Sequence, residues 1–294
     1  MSINIIKIYK ESFYDVRYHR REWFKVAFGP YLTWLFTLWL LSLNLIIFPF
    51  GLSGNNFKLE EMKLFYTNDD PTVFLISLII SAIAYRIINF MIATSLSING
   101  YRYAVLNEGG DRWISYNLNM RFVKIIIYGI LVGVTGITYL FICLEVIKAV
   151  NSIINNTFVN VILISLFGLY GFYLLGRIAL YAVVISVDQK EPIKTSWHLM
   201  KGNALRLIVL FMLFWLTITF TGLIGTLVLG SLTLLLSSGG AILATIGVFL
   251  GTFFGLFLIM FNWALTSKAM GLIYQELSAK IDAEFIKKYK GQNF

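Results

Sequence analysis

Between Leu207 and Ser267 the chain carries no Asp, Glu, Lys or Arg across 61 consecutive residues. A bilayer span needs about 20 apolar residues in a row, a length that soluble core helices rarely sustain. The run is therefore read as two membrane spans joined by a tight turn, with Ser237, Ser238, Gly239 and Gly240 supplying turn chemistry near its middle. The whole chain agrees: 58% of its residues are hydrophobic and 13% charged, against about a quarter charged in soluble domains.

Six apolar runs, at 26–48, 73–98, 122–147, 158–187, 205–230 and 241–265, predict six transmembrane segments. They are too long and continuous for barrel strands, so each must satisfy its own backbone as a helix. The fold class is an all-α polytopic membrane helix bundle with short cytoplasmic interfacial helices. Residues 1–25 form an N-terminal interfacial helix with the stripe Ile6, Tyr9, Phe13 and Val16; 26–267 form the six-span domain; 268–294 form a cytoplasmic C-terminal tail. The mixed polar start lacks the pattern of a cleaved signal peptide, so the first span is expected to be retained. The prolines punctuate: Pro30 near the start of the first span, Pro49 after it, Pro71 before the second, and Pro192 suited to the first turn of a short helix.

Lysine and arginine set the orientation. Nineteen lie in residues 1–25, the second and fourth connections and the C-terminal tail, and only Lys58, Lys63 and Lys148 lie in the alternate connections. Positive residues stay inside, which places both termini in the cytoplasm. Basic residues beside spans also account for the net charge of +9 without nucleic-acid binding.

Two cytoplasmic connections read as amphipathic elbow helices. The first carries Arg112, Trp113, Tyr116, Met120 and Arg121; the second carries Lys194, Trp197, Met200 and Lys201. Setting Ser115 against Ser196 aligns them, which suggests a span, elbow, span unit used twice in parallel.

Arg86, in the middle of the second span, and Arg177, in the inner half of the fourth, are the most informative residues. A charge at such depth costs about 2.5 kcal/mol or more on insertion scales, and no Asp or Glu lies deep in any span. Glu145 is assigned to Lys148, three residues on. The arginines either snorkel to phosphates, bond to helix carbonyls, or bind an anionic ligand. The missing acids disfavour proton- or sodium-coupled transport. Gly247, Gly251 and Gly255 form a smooth stripe for helix packing, as do Gly129 and Gly133.

Enzyme motifs are absent from the sequence. Only His19 and His198 occur, so no multi-histidine metal centre can be built, and neither a GxSxG elbow nor a P-loop is present. Asp69 and Asp70 precede Pro71 and read as helix-entry caps; Cys143 reads as a small hydrophobe. Asn155, Asn156 and Thr157 make a formal glycosylation sequon, too close to the membrane to serve as one. No cofactor is implied.

The opening IYKESFYDVRYHRREWFKVAFGPYLTWLF and the stretch RIALYAVVISVDQKEPIKTSWHLMKGNALRLIVL resemble the YciC-like bacterial inner-membrane proteins and the membrane domain attached to some glycerophosphodiesterases. The matching residues are Arg177, Asp188, Ser196, Trp197, Lys201 and Gly202. The resemblance implies an inner-membrane protein with envelope or lipid-related roles; no phosphodiesterase domain accompanies the spans, so that activity is not carried over. The expected function is a non-enzymatic envelope or membrane-organising protein that acts through lipid or protein contacts. Its expected partners are anionic lipids of the cytoplasmic leaflet, a second copy or another protein. The alternative is a transporter or lipid translocator that grips an anionic substrate with Arg86 and Arg177.

Overall fold

A computed structural model describes residues 2–47, 71–110, 113, 116–154, 156–237 and 240–290, with some helical side chains outside the description. Nine α-helices occur among these residues and no strand: α1 (Ile5–Tyr18), α2 (Arg20–Ile47), α3 (Pro71–Leu106), α4 (Met120–Ile154), α5 (Thr157–Ile178), α6 (Tyr181–Ser186), α7 (Pro192–Leu199), α8 (Ala204–Ser237) and α9 (Ala241–Lys290). Four stretches, Met120–Ile154, Thr157–Ser186, Ala204–Leu235 and Phe253–Ala279, are long and apolar enough to cross a membrane. Helices α2 and α3 occupy the two remaining expected spans, 26–48 and 73–98, which fall partly on side chains outside the description. Arg112, Ser115, the Asp69–Asp70 pair, Pro49, Lys58, Lys63, Ser238, Gly239 and Asn155 also lie outside it.

Local chemistry sets the helix ends. Asn4 caps α1 by accepting from Lys7 N at 3.1 Å, and Asn156 caps α5 by accepting from Phe158 N at 2.9 Å. Pro192 opens α7, where its missing N–H costs nothing. Gly240, at φ 107°, turns the chain between α8 and α9 as the small residues there predict.

The buried residues gather at one end of the bundle, the end that holds α1, α6, α7, the C-terminal end of α3 and the middle of α9. Ile8, Val16, Trp23, Leu180, Met200, Leu210, Phe214, Leu265 and Ile273 form its centre. Away from this basic end the helices open out. None of the most apolar window of Thr157–Ser186 is buried, against 39% of that in Phe253–Ala279, which makes α9 the central helix and α5 a peripheral one.

Three expectations change here. The expected tail 268–294 is not a separate segment: α9 runs through it to Lys290, and Ala269, Met270, Ile273, Tyr274 and Leu277 are buried against the core. A helix of 50 residues spans about 75 Å, far more than the roughly 30 Å of hydrocarbon. Secondly, the expected N-terminal helix, α1, packs on the core with a shifted face. Its buried face is Ile8, Ser12 and Val16, with Ile5, Tyr9 and Phe13 packed beside them, while Ile6 from the expected stripe is 64% exposed. Thirdly, the first elbow is not helical where it is described: Trp113 lies in a bend and residues 116–118 have no regular structure before α4 starts at Met120.

Close helix approach is also placed differently. Among the described residues, of the stripe Gly247, Gly251 and Gly255 only Gly247 meets a neighbour, the backbone and side chain of Thr233 on α8, and none stands within 4 Å of a Cβ on the other two. The tightest crossing involving α9 and α3 uses Gly100 and Ala104 on one helix and Ser267 and Gly271 on the other. A Cβ on Gly100 would stand 2.6 Å from the Trp263 ring and 2.7 Å from Ser267 Oγ, and one on Gly271 2.6 Å from Ala104 Cβ. Two small residues four apart on each helix allow that approach. Gly271→Val is expected to cost about 1–3 kcal/mol by overpacking, whereas Gly251→Ala leaves stability unchanged or raised. Thermal unfolding of the detergent-solubilised protein checks the contrast.

Candidate functional site

The basic end is organised around helix breaks and the side chains that repair them. Helix α5 stops at Ile178 and α6 starts at Tyr181, so the break leaves backbone groups without intrahelical partners. Ser196 on α7 supplies both: its Oγ accepts from Leu180 N at 3.1 Å and donates to Arg177 O at 3.1 Å. A second break is chemical. Pro30 lies inside α2 and has no N–H to offer the carbonyl four residues back, that of Val26. Asn99 of α3, 4% exposed, donates its Nδ2 to that carbonyl at 3.3 Å. From the first connection, Tyr116 donates to Gly29 O at 2.7 Å, Asn117 Nδ2 donates to Asn99 Oδ1, and Asn117 N donates to Ser95 Oγ at 3.1 Å. The second connection repairs its break directly through a helix, whereas the first, irregular where it is described, holds Asn99, the side chain that repairs the other.

Arg177 is 7% exposed and held by the protein itself. Its guanidinium donates to Tyr173 Oη at 3.0 Å and to Trp197 O at 2.7 Å, and lies 4.3 Å from the centroid of the Trp197 ring. Its Nε has no partner among the described residues. Gly176 beside it lets Ala204 of α8 approach, where a Cβ would come within 3.0 Å. Arg86 differs entirely: it is exposed on α3, 14 residues or about 21 Å along the helix from Gly100. The structure therefore does not bring the two arginines together.

Asp188 links three elements from a left-handed backbone conformation, φ 62°. Arg121, at the start of α4, donates to both of its oxygens, at 2.7 and 2.6 Å, and Arg102 of α3 approaches at 3.4 Å. Arg102 also donates to Ser186 O at 2.7 Å and pairs with Glu108. This planar, bidentate pairing joins Arg121, expected on the first elbow, to the connection after α6. It also holds the Asp188 carboxyl below its ordinary range, the hydrogen bond from Arg121 being the main cause.

The remaining expected residues scatter. Lys194 pairs with Glu191 at 2.8 Å on an exposed surface, and Lys201 is exposed. Trp113 packs its ring against Phe28 at 5.5 Å with Lys25 Nζ 5.7 Å from its centroid. His198 is exposed, and His19 contacts Asp15 at 3.4 Å. Glu145 and Lys148 pair at 2.7 Å as expected. Asp15, passed over in the sequence, joins α1, α2 and α9: it accepts from Trp23 Nε1 and pairs with Lys268, each at 3.0 Å. Asn99 was legible as the repair partner of Pro30 only once the two helices were known to touch. Comparison with protein families, with curated proteins and with solved structures finds no match to this chain.

Two outcomes follow. Arg177→Lys keeps the charge but not the planar fork that reaches Tyr173 and Trp197 together, so stability falls by about 1–3 kcal/mol in thermal unfolding. Asp188 has a depressed folded value, so its contribution is complete above the unfolded value of about 3.9 and is lost as pH falls through the folded one. Below about pH 4 the wild type should lose more stability than Asp188→Asn, which has no such group to protonate.

Proposed function

We propose that the chain is a six-span protein of the cytoplasmic membrane with both termini inside, a non-enzymatic organiser of membrane that acts through lipid and protein contacts. The observation that carries this reading is the division of the molecule. A cross-linked polar and apolar core occupies the basic end, while the apolar faces of α4, α5 and α8 remain open, with Ile137 70%, Ile164 57% and Leu227 70% exposed. Lipid or another membrane helix covers such faces in a bilayer, because apolar side chains gain nothing by facing one another there. Four stretches long and apolar enough to span support an integral membrane protein, and α2 and α3 supply helices for two more spans. The resemblance to the YciC-like proteins points the same way.

The transporter reading needs Arg86 and Arg177 to face one cavity. It loses that support, since Arg86 is exposed and Arg177 is engaged with Tyr173 and Trp197. On the proposed topology Arg86 lies near the middle of its span with its side chain exposed, where a guanidinium must snorkel or meet a polar partner.

Cysteines introduced singly at Asn151 and at Lys190, in a Cys143→Ala background, test the topology with a membrane-impermeant maleimide. The expected result is labelling of position 151 in intact cells and of position 190 only after the membrane is opened. Reversed labelling, or both positions labelled from outside, refutes the arrangement.

A further inference from the structure

We infer that the groove between α1, the start of α2, and helices α8 and α9 is a binding site for one anionic glycerophospholipid of the inner leaflet. The groove has a volume of about 1090 Å³, at or beyond the top of the 300–1,000 Å³ range of about drug-sized pockets. Its wall and floor are apolar, made by Phe13 of α1 and by Phe257, Met260, Phe261 and Ala264 of α9. Its rim is cationic: Arg17, Arg20 and Arg21 line the end nearest the α1–α2 junction, and Lys10 adds a charge from the middle of α1.

The charges at this rim are uncompensated. Nearby acids are turned elsewhere, Glu11 toward Lys7 at 3.9 Å and Asp15 toward Lys268 at 3.0 Å. No carboxylate pairs with Lys10, Arg17, Arg20 or Arg21 among the described residues, and all four side chains are exposed. Four cations with no carboxylate partner among the described residues, set over an apolar trough, match a ligand with a phosphate at one end and hydrocarbon at the other. Arginine forks suit phosphate oxygens, and the side chains are long enough to reach a headgroup layer.

Depth selects lipid over an acidic peptide. Phe257 lies 11 residues before Lys268, about 16 Å along α9 into the charge-free run. A peptide laid to that depth would carry backbone amides into hydrocarbon without partners, whereas an acyl chain carries none. Phe257 is itself 51% exposed, so the groove continues into the open apolar face of the bundle and gives an acyl chain its way out. The Tyr9 hydroxyl meets Thr217 Oγ1 at 2.6 Å where α1 crosses α8, so the polar groups lining the groove wall there are already paired.

The inference rests on the proposed topology, which places this rim at the inner leaflet, but its test reads the site in detergent and is independent of sidedness. Native mass spectrometry of the full chain, with dioleoyl phosphatidylglycerol and dioleoyl phosphatidylcholine added in equal amounts, reports which lipid is retained. The wild type is expected to keep one phosphatidylglycerol. A triple variant Arg17→Gln, Arg20→Gln, Arg21→Gln should weaken retention tenfold or more, while the equal-charge control Lys124→Gln, Lys190→Gln, Lys201→Gln should keep it. Met260→Trp, which narrows the trough from a half-buried lining position and leaves the rim intact, should weaken both lipids alike. Equal retention by the triple variant and the control, or equal retention of the two lipids by the wild type, overturns the proposal. So does displacement of the lipid by millimolar inorganic phosphate, which would make the rim a simple phosphate site. Failure of the cysteine labelling with success here would move the site to the other leaflet and leave the ligand class standing.

Discussion

A backbone carbonyl or amide without a partner in hydrocarbon costs several kcal/mol, so every helix break near a membrane must be repaired by something. At the basic end the helical hydrogen-bond ladder is interrupted at Pro30, inside α2, and between Ile178 and Tyr181. The repairs come from other helices: Asn99 of α3 reaches Val26 O, and Ser196 of α7 takes both Leu180 N and Arg177 O. Each repair is therefore also a tertiary bond, and the two together fix α2 on α3 and α5 on α7. Arg102, Arg121 and Asp188 then tie α3 and α4 to the connection after α6, while Asp15 joins α1 to α9.

This arrangement accounts for the uneven packing. Helices in lipid gain little from apolar contact alone, so contact concentrates where polar bonds or small residues allow it. At the basic end both are present, the bonds just described and the Gly100, Ala104, Ser267, Gly271 crossing. Farther along, α5 presents mostly apolar side chains, and Ile164, Leu166 and Leu169 on it stay exposed. The open faces and the cationic groove belong to one molecule with a firmly cross-linked basic end and a remainder whose apolar faces stay open.

Much of this was legible in the sequence. The 61-residue charge-free run implies the α8–α9 hairpin, and Pro192 marks the start of α7. The position of Arg177 was also legible as costly, though not its solution, because Trp197 O and the Trp197 ring come from a separate element. Three readings failed for physical reasons. The charges after Ser267 looked like a tail, yet Ala269, Ile273 and Leu277 continue a buried face at spacings of four while Lys268 pairs with Asp15. The first elbow has helical spacing, yet Tyr116 and Asn117 bond to α2 and α3 instead of closing a helix of their own. The glycine stripe on α9 is regular, but a stripe states which face is smooth and not which helix lies against it.

The central claim is that the protein core is confined to the basic end and that the span faces away from it meet lipid. Spin labels placed singly at Ile137, Ile164, Leu210 and Ile273, in a Cys143→Ala protein reconstituted into bilayers, test it through collision with dissolved oxygen and with a water-soluble nickel complex. The account predicts high oxygen collision rates with little nickel access at positions 137 and 164, and low rates of both at 210 and 273. Oxygen shielding at 137 and 164 equal to that at 210 would contradict it, because the spans would then be packed along their length.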